Sequence, residues 1–600
     1  MLRKWMSALA IVCLAISAPA RAGDAMKDAV ATLPENSVGF ACVPSLKALD
    51  GKLQRAVADL GLQGMIPPTM SSIVGSIKMF MPFLQGMDEN GPLALVLLPA
   101  DTIQELGLAA CIFIPAEDPK DIIQKMGGQP AEEGGVWNIN FFGQPQFASV
   151  AERRLIIAQS AANAKRAAES KGGLDKKLKP AVLDGLAGLD KAIWLDTSVI
   201  FKLAGGQIQQ MLGVMVAMQS AQGPMGARQA EAMQKQINTF TEGAASFAFG
   251  LAFEKSGLDL RAVLDARPGT ELHKQMQVKP TKESLIRGLP AEKYLVAFGQ
   301  RLAPEQAKAS LEYLDPYLDG LKAVEGIEEK RIGEVKALLS DWAPMSSAVR
   351  GTVTAVGGGS NGLLGFSAVI ETTDAKKWIE LSGKAVALVK SIIDEAKGED
   401  VPAEIREFAA ALSFTPDTED VAGAKLAHLK FDVSKLSGID EEWPEQLETL
   451  VGKEGLLVRF APVDAQQVAV TFGGGSTLMS RLVEAARSNA TPLESDAGIR
   501  SVGENFASER TSVMYFAVDR IVGVIKAAQN AFDEEELPIS MPELNAPLTI
   551  NGTGGDGWSR GDLFLPTELM VAIKNAVLTM MGGGQAPPPP GAPSPPGAGG

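Results

Sequence analysis

Residues 354–371, TAVGGGSNGLLGFSAVIE, decide between two kinds of fold. Gly357, Gly359 and Gly362 spell G-x-G-x-x-G, the fingerprint that opens a helix in parallel dinucleotide-binding sheets. Gly358, Ser360 and Gly362 spell G-x-S-x-G, the nucleophile elbow of hydrolases. Both motifs need a helix directly after the glycines, so that its N-terminus faces an anion or presents the serine. The chain instead continues with LLGFSAVIE, apolar and partly β-branched, and Asn361-Gly362 is a hairpin-turn dipeptide. The stretch is therefore expected to be an antiparallel hairpin whose turn exploits glycine's tolerance of positive φ. Residues 550–565, INGTGGDGWSRGDLFL, act as a control, because they repeat G-x-G-x-x-G at Gly552, Gly554 and Gly557 and also lead into a strand pattern.

Elsewhere in the chain, short strands such as PLALVLLP, AACIFIP, ASFAFGLAFE and LDLRAVLDA are joined by tight turns, and amphipathic stretches such as AANAKRAAESK and LMSRLVEAARS are expected to cover one face of each sheet. This pattern predicts an α+β fold with largely antiparallel sheets. The chain also repeats itself. LPENSVGF begins at Leu33 and LPAEKYLV at Leu289, a shift of 256 residues that recurs between Asp118 and Asp374 at matching strand-to-helix junctions. Asp196 and Asp519 occupy later matching junctions, and Thr-Glu-Leu recurs at Thr270 and Thr567. All four aspartates are expected to be helix N-caps, which accept otherwise unpaired backbone N–H groups. The reading is two homologous tandem halves, 23–280 and 281–580, the second enlarged within 391–453.

The chain opens MLRKWMSALAIVCLAISAPARAGDA, a secretory signal peptide over 1–22 with cleavage near Ala22. An extracytoplasmic protein, periplasmic or secreted, is expected, with no transmembrane segment. Residues 581–600, rich in proline and glycine, are expected to form a disordered tail. Removing Arg3, Lys4 and Arg21 leaves 53 basic against 71 acidic residues, a formal charge of −18 that disfavours nucleic acid and anionic membranes. Cys42 and Cys111 survive cleavage, either as one disulfide or as two buried thiols. His273 and His428 are the only histidines, too few for a histidine metal cluster.

No catalytic residue, metal or cofactor is called for. Methionines cluster at Met65, Met70, Met79, Met81 and Met87 and again at Met211, Met215 and Met218, where flexible thioethers suit a groove for an apolar ligand or partner. Copper(I) and ordinary core packing are the alternatives for the same clusters. Arg560-Gly561-Asp562 is a cell-adhesion tripeptide by letters only, and Asn489 and Asn551 stand in glycosylation acceptor sequences. The secretory leader, LPENSVGFACVPSLKALDGKL and VAERRLIIAQSAANAKRAAES together resemble large exported bacterial proteins grouped under a domain of unknown function. That resemblance implies export and carries no catalytic residues. The leading expectation is a non-enzymatic exported protein that binds a partner or apolar ligand. A secreted hydrolase is the second, for which Ser360, an aspartate and His428 would be the one triad allowed by hydrolase chain order. A structural envelope component is the third.

Overall fold

The opening stretch is a hairpin. In the computed structural model, strands 346–355 and 364–372 pair antiparallel through Gly351↔Ala368 and Val353↔Phe366. Gly357, Gly358, Gly359 and Gly362 all take positive φ in the turn between them. At Gly362 a second reason forbids a side chain, since a Cβ there would lie 2.4 Å from the backbone nitrogen of Gly452. The structure describes residues 25–64, 72–99, 108–221, 224–307, 311, 314, 318, 327–395, 403–436, 443–503, 506–532 and 541–582. The expected signal peptide, together with Met65 and Met70, lies outside the described residues, as does the expected tail from residue 583 on, whereas residues 581 and 582 end the last helix, Thr567–Gly582, so that helix runs two residues into the stretch expected to be disordered.

Among the described residues twenty strands belong to one sheet. In chain order the first ten are β1 (Gly39–Val43), β2 (Leu93–Pro99), β3 (Leu108–Pro115), β4 (Gln129–Pro130), β5 (Val136–Phe141), β6 (Gln144–Ala151), β7 (Arg154–Ala158), β8 (Lys191–Leu195), β9 (Ala244–Glu254) and β10 (Gly257–Ala266). The next ten are β11 (Tyr294–Arg301), β12 (Ser346–Ala355), β13 (Leu364–Thr372), β14 (Leu412–Val421), β15 (Ala424–Phe431), β16 (Leu456–Pro462), β17 (Gln467–Gly473), β18 (Ser512–Phe516), β19 (Leu548–Gly555) and β20 (Trp558–Pro566). Every pairing is antiparallel, and the order across the sheet is β4-β5-β6-β7-β3-β2-β1-β8-β9-β10-β20-β19-β18-β11-β12-β13-β17-β16-β15-β14. From the central β10–β20 pair outward, the two arms run through their strands in the same sequence. Where two separate sheets were expected, one sheet crosses the junction, because β10 and β20 pair edge to edge from Gly257↔Pro566 to Asp265↔Trp558.

Helices cover both faces of each arm, against the expectation of one. In the first arm α1 (Ala25–Ala31), α2 (Leu46–Asp59), α3 (Ile73–Phe80), α4 (Pro119–Lys125), α5 (Ala161–Glu169), α6 (Leu174–Lys177) and α7 (Pro180–Leu186) divide between the faces. Phe40, Cys42 and Phe113 pack with α1, α5, α6 and α7 on the back. Val43, Ile114 and Ile157 pack with α2, α3 and α4 on the front. The helical hairpin α8 (Thr197–Ser220) and α9 (Pro224–Gly243) joins β8 to β9, and α10 (Glu271–Gln275) comes after β10. The second arm repeats the layering with α11 (Glu329–Trp342), α12 (Ala375–Glu395), α13 (Ala403–Ala411), α14 (Trp443–Val451), α15 (Gly475–Ser488), α16 (Ala497–Gly503), α17 (Val518–Ala531) and α18 (Thr567–Gly582). Tyr294, Val369 and Ala469 pack with α15 and α16 on the back, while Ala368 and Phe460 pack with α11 and α12 on the front. A single-faced cover would strand the odd or even residues of such apolar strands in water.

Three of the four aspartates cap helices. Asp118 accepts from the N–H groups of Lys120 and Asp121, Asp196 from Val199 and Asp374 from Lys377. Asp519 differs, because Ala517 holds the N-cap position and Asp519 sits in the first turn, accepting from the Leu544 N–H. The outer edges are unlike ordinary strands. β4 is two residues long, and β14 carries Pro416, a register shift between Thr415 and Glu419 and a positive φ at Asp417.

Candidate functional site

Sequence alternation gives each central strand two unlike sides. On β10 one side is Leu258, Leu260, Ala262 and Leu264 and the other is Asp259, Arg261, Val263 and Asp265. An antiparallel strand ordinarily buries the apolar side and wets the polar one. Here the polar side is buried and the leucines are half-exposed. The inversion continues through register partners. Leu258, Leu260, Ala262 and Leu264 sit opposite Phe253, Leu251, Phe249 and Phe247 of β9, and across the seam Leu258 and Leu260 sit opposite Leu565 and Leu563 of β20. Beyond β20 the row reaches Ile550 of β19 and Met514 of β18. Phe249 is 39% and Ile550 43% exposed, and the rest are half-buried. None of these side chains belongs to the four buried cores. The front of the central strands is therefore an apolar strip set between the front cores of the two arms.

The back of the same strands explains how the inversion is tolerated. Buried Arg261 donates from Nε to Asp562 Oδ1 at 2.8 Å, from Nη2 to Asp259 Oδ2 at 3.0 Å, and from Nη1 to the carbonyls of Gly185 and Ala187 at 3.0 and 2.8 Å. Arg560 donates from Nε to both Asp562 oxygens, and Asn551 Nδ2 lies 3.4 Å from Oδ2. The two arginines and two aspartates balance in charge, as burial requires. One atom is left over: Asp259 Oδ1 is buried without a partner. Burial pushes the Asp259 carboxyl up to about 6, against the pull of Arg261.

At the end of the strip nearest Phe253, α2 closes the sheet. Its Lys52 is buried against Asp190, whose other oxygen accepts from the Phe253 N–H at 2.9 Å. Desolvation pushes Asp190 up to about 6 and pushes Lys52 down. A cavity of about 20 Å³, room for one water, lies there between Lys52, Arg55, Phe253, Glu254, Gly257 and Met570. Lys574 of α18 donates to the Leu60 carbonyl at 2.7 Å and ties that helix to the end of α2.

The expected groove residues are not its lining. Met79 on α3 is exposed and Met81 packs partly against the front core of the first arm. Met215 and Met218 are exposed on α8, and the side chain of Met211 lies outside the described residues. Among the described residues, helix α3 packs on α2, whereas α8 packs on α9 and β9. Cys42 and Cys111 are buried and not bonded to each other. Cys42 faces Ala94 on β2, and Val96 of β2 faces Cys111, so a whole strand separates them. Two strand spacings are roughly 9.6 Å, beyond the ~7 Å Cα reach of a disulfide.

Ser360 and His428 are not brought together either. His428 is level with Ser367 through Arg459 and Thr471, three strand spacings or roughly 14 Å away, and Ser360 lies seven residues before Ser367. His428 Nε2 instead lies 3.5 Å from Glu419 Oε1. The Asp562 of the adhesion tripeptide is 1% exposed. Asn551 is buried, while Asn489 is exposed at the end of α15. Among the described residues no group of three or more His, Cys, Asp or Glu could hold a metal, and no helix is long and apolar enough to cross a membrane.

No protein-family model matches the chain, and no curated protein matches it. Three crystal forms of a protein titled TP0453, forms IV, III and I, align over 48%, 49% and 49% of this chain and 97%, 99% and 98% of theirs. Sequence identity is 10–11% and the TM-score 0.19, a likeness that carries no argument about function.

Proposed function

We propose that this chain is a non-enzymatic exported protein whose central sheet face holds an aliphatic ligand, the acyl chain of a fatty acid or lipid being the fitting class. The observation that carries the reading is the inverted burial centred on β10, with Asp259, Arg261, Asp562 and Asn551 inside, beside the small residues of β9 and Phe564 of β20, and with Phe249, Leu260, Leu563 and Ile550 on the outer side. Leaving such side chains partly wet forgoes about 25 cal/mol for each Å² not covered, and an apolar ligand recovers it. The non-enzymatic reading is supported by the separation of Ser360 from His428. Export is supported by the leader in the sequence. The shared strand order and the 256-residue shift support descent of both arms from one duplicated unit.

The test is competition between a naphthalene-sulfonate dye and palmitate on the full chain. Dye fluorescence that palmitate displaces is expected, with at least tenfold weaker palmitate binding in Phe249→Glu and Ile550→Glu. Absence of displacement, or unchanged affinity in both variants, overturns the reading. Dye binding that only a second protein displaces would replace the aliphatic ligand with a protein partner.

A further inference from the structure

The seam between the arms is symmetric in backbone and opposite in charge. β9–β10 and β19–β20 are hairpins with two-residue turns, Lys255-Ser256 and Asp556-Gly557, so residues of β10 and β20 equally far from the turn are equivalent. At equivalent positions β10 reads Asp259-Leu260-Arg261 and β20 reads Arg560-Gly561-Asp562, with the signs exchanged. The ladder from Gly257↔Pro566 to Asp265↔Trp558 has Arg261↔Asp562 at its midpoint, where these two equivalent residues face each other. Backbone hydrogen bonds of an antiparallel ladder carry no identity, so they would equally join β10 to the β10 of a second copy. The front row is as permissive, because in that pairing Leu258 would meet Leu264 and Leu260 would meet Ala262.

The midpoint is not permissive. Arg261 is held by its own arm, with Nη1 on the carbonyls of Gly185 and Ala187 and Nη2 on Asp259, and its Nε is the donor that crosses the seam. Two β10 strands would set two such donors face to face, and two β20 strands would set Asp562 against Asp562. The side chains are 10% and 1% exposed, and like charges directly opposite destabilise a sheet most where water is excluded. We infer that the Arg261–Asp562 pair is the recognition element of the seam, admitting β20 as the partner of β10 and refusing the like strand of a second copy of this chain. Arg560-Gly561-Asp562, an adhesion tripeptide by letters, is then the charge complement of Asp259-Leu260-Arg261. The inference rests on the duplication proposed above and not on the aliphatic ligand.

The test is the mass, by light scattering, of the full chain refolded from urea at high concentration. Amides carry donor and acceptor alike and tolerate their own kind opposite. The native chain is expected to return as a monomer. Asp562→Asn or Arg261→Gln frees one edge and should add a dimer at twice the native mass, whereas the two together free both edges and should add assemblies longer than a dimer. Arg261→Cys locates the contact: mild oxidation should link two copies through the introduced sulfurs, which meet at the ladder midpoint. Leu264→Cys on the same strand should not link, since its counterpart there is Leu258. If the double variant does not refold, the mass of the Asp562→Asn chain, which keeps Arg261, decides. The inference is overturned if the native chain itself returns as a dimer linked through β10, or if every refolded amide variant returns as a monomer with native circular dichroism. Linking through Leu264→Cys as readily as through Arg261→Cys would mark unspecific association and overturn it too.

Discussion

At the scale of single residues, two buried carboxyls set a pH dependence whose sign is fixed by their environment. Asp190 and Asp259 each stand near 6 in the folded chain against 3.8 in the reference state, because burial disfavours the anion more than Lys52 or Arg261 favours it. Between about pH 4 and 6 the folded form thus binds more protons than the unfolded form. Their contribution to stability is full below about 4 and is lost as pH rises through about 6. A shift of two units corresponds to on the order of 2–3 kcal/mol for each group. Thermal unfolding at pH 5 and 7 should show the higher midpoint at pH 5, and Asp190→Asn with Asp259→Asn should flatten that difference. An equal difference in the variant would assign it to the net charge of the acidic surface instead. Neither aspartate is distinguished in the sequence, because Lys52 is 138 residues from Asp190, and although Arg261 is two residues from Asp259, nothing local places Asp562, 301 residues from that arginine, in the same buried cluster.

At the scale of elements, the hairpins were legible and their orientation was not. Asn361-Gly362 and the strand after it contain the turn, and LPENSVGF against LPAEKYLV contains the repeat, since both are local patterns. Alternation in ASFAFGLAFE also shows two faces. It does not say which face the helices cover, and the usual assumption that Phe and Leu point inward fails there. The methionine clusters have the same ambiguity, as helical spacing names a stripe without naming its neighbour. The inversion has a direct check in urea unfolding. Val263→Ala, on the buried side of β10 against Gly185, should cost about 1–3 kcal/mol. Leu260→Ser, one strand position from Arg261 but on the half-exposed side, should cost less than about 1 kcal/mol in the ligand-free protein. A reversed order would mean that the strip is a filled core.

At the scale of the whole molecule, the arms are joined where β10 meets β20, and Arg261 spans that seam to Asp562. Removing one partner of a buried ion pair leaves the other uncompensated, so Arg261→Met is expected to cost about 3–5 kcal/mol. Calorimetry is expected to resolve two transitions in the variant and one in the native chain, because each arm keeps its own front and back cores. A single transition, however lowered, would show that the arms are coupled by more than the seam. That seam was invisible in the sequence, as strand pairing across 300 residues leaves no local trace. Edge-to-edge joining has a further consequence. The same chemistry that welds β10 to β20 is open-ended, and a sheet able to add one copy of itself can template another without limit. The molecule stops this at its extremities: β4 offers only two residues, and β14 offers a proline, a bulge and the acids Asp417, Glu419 and Asp420. The stunted ends are chain terminators, and they are what keeps a twenty-stranded ribbon from becoming a fibre.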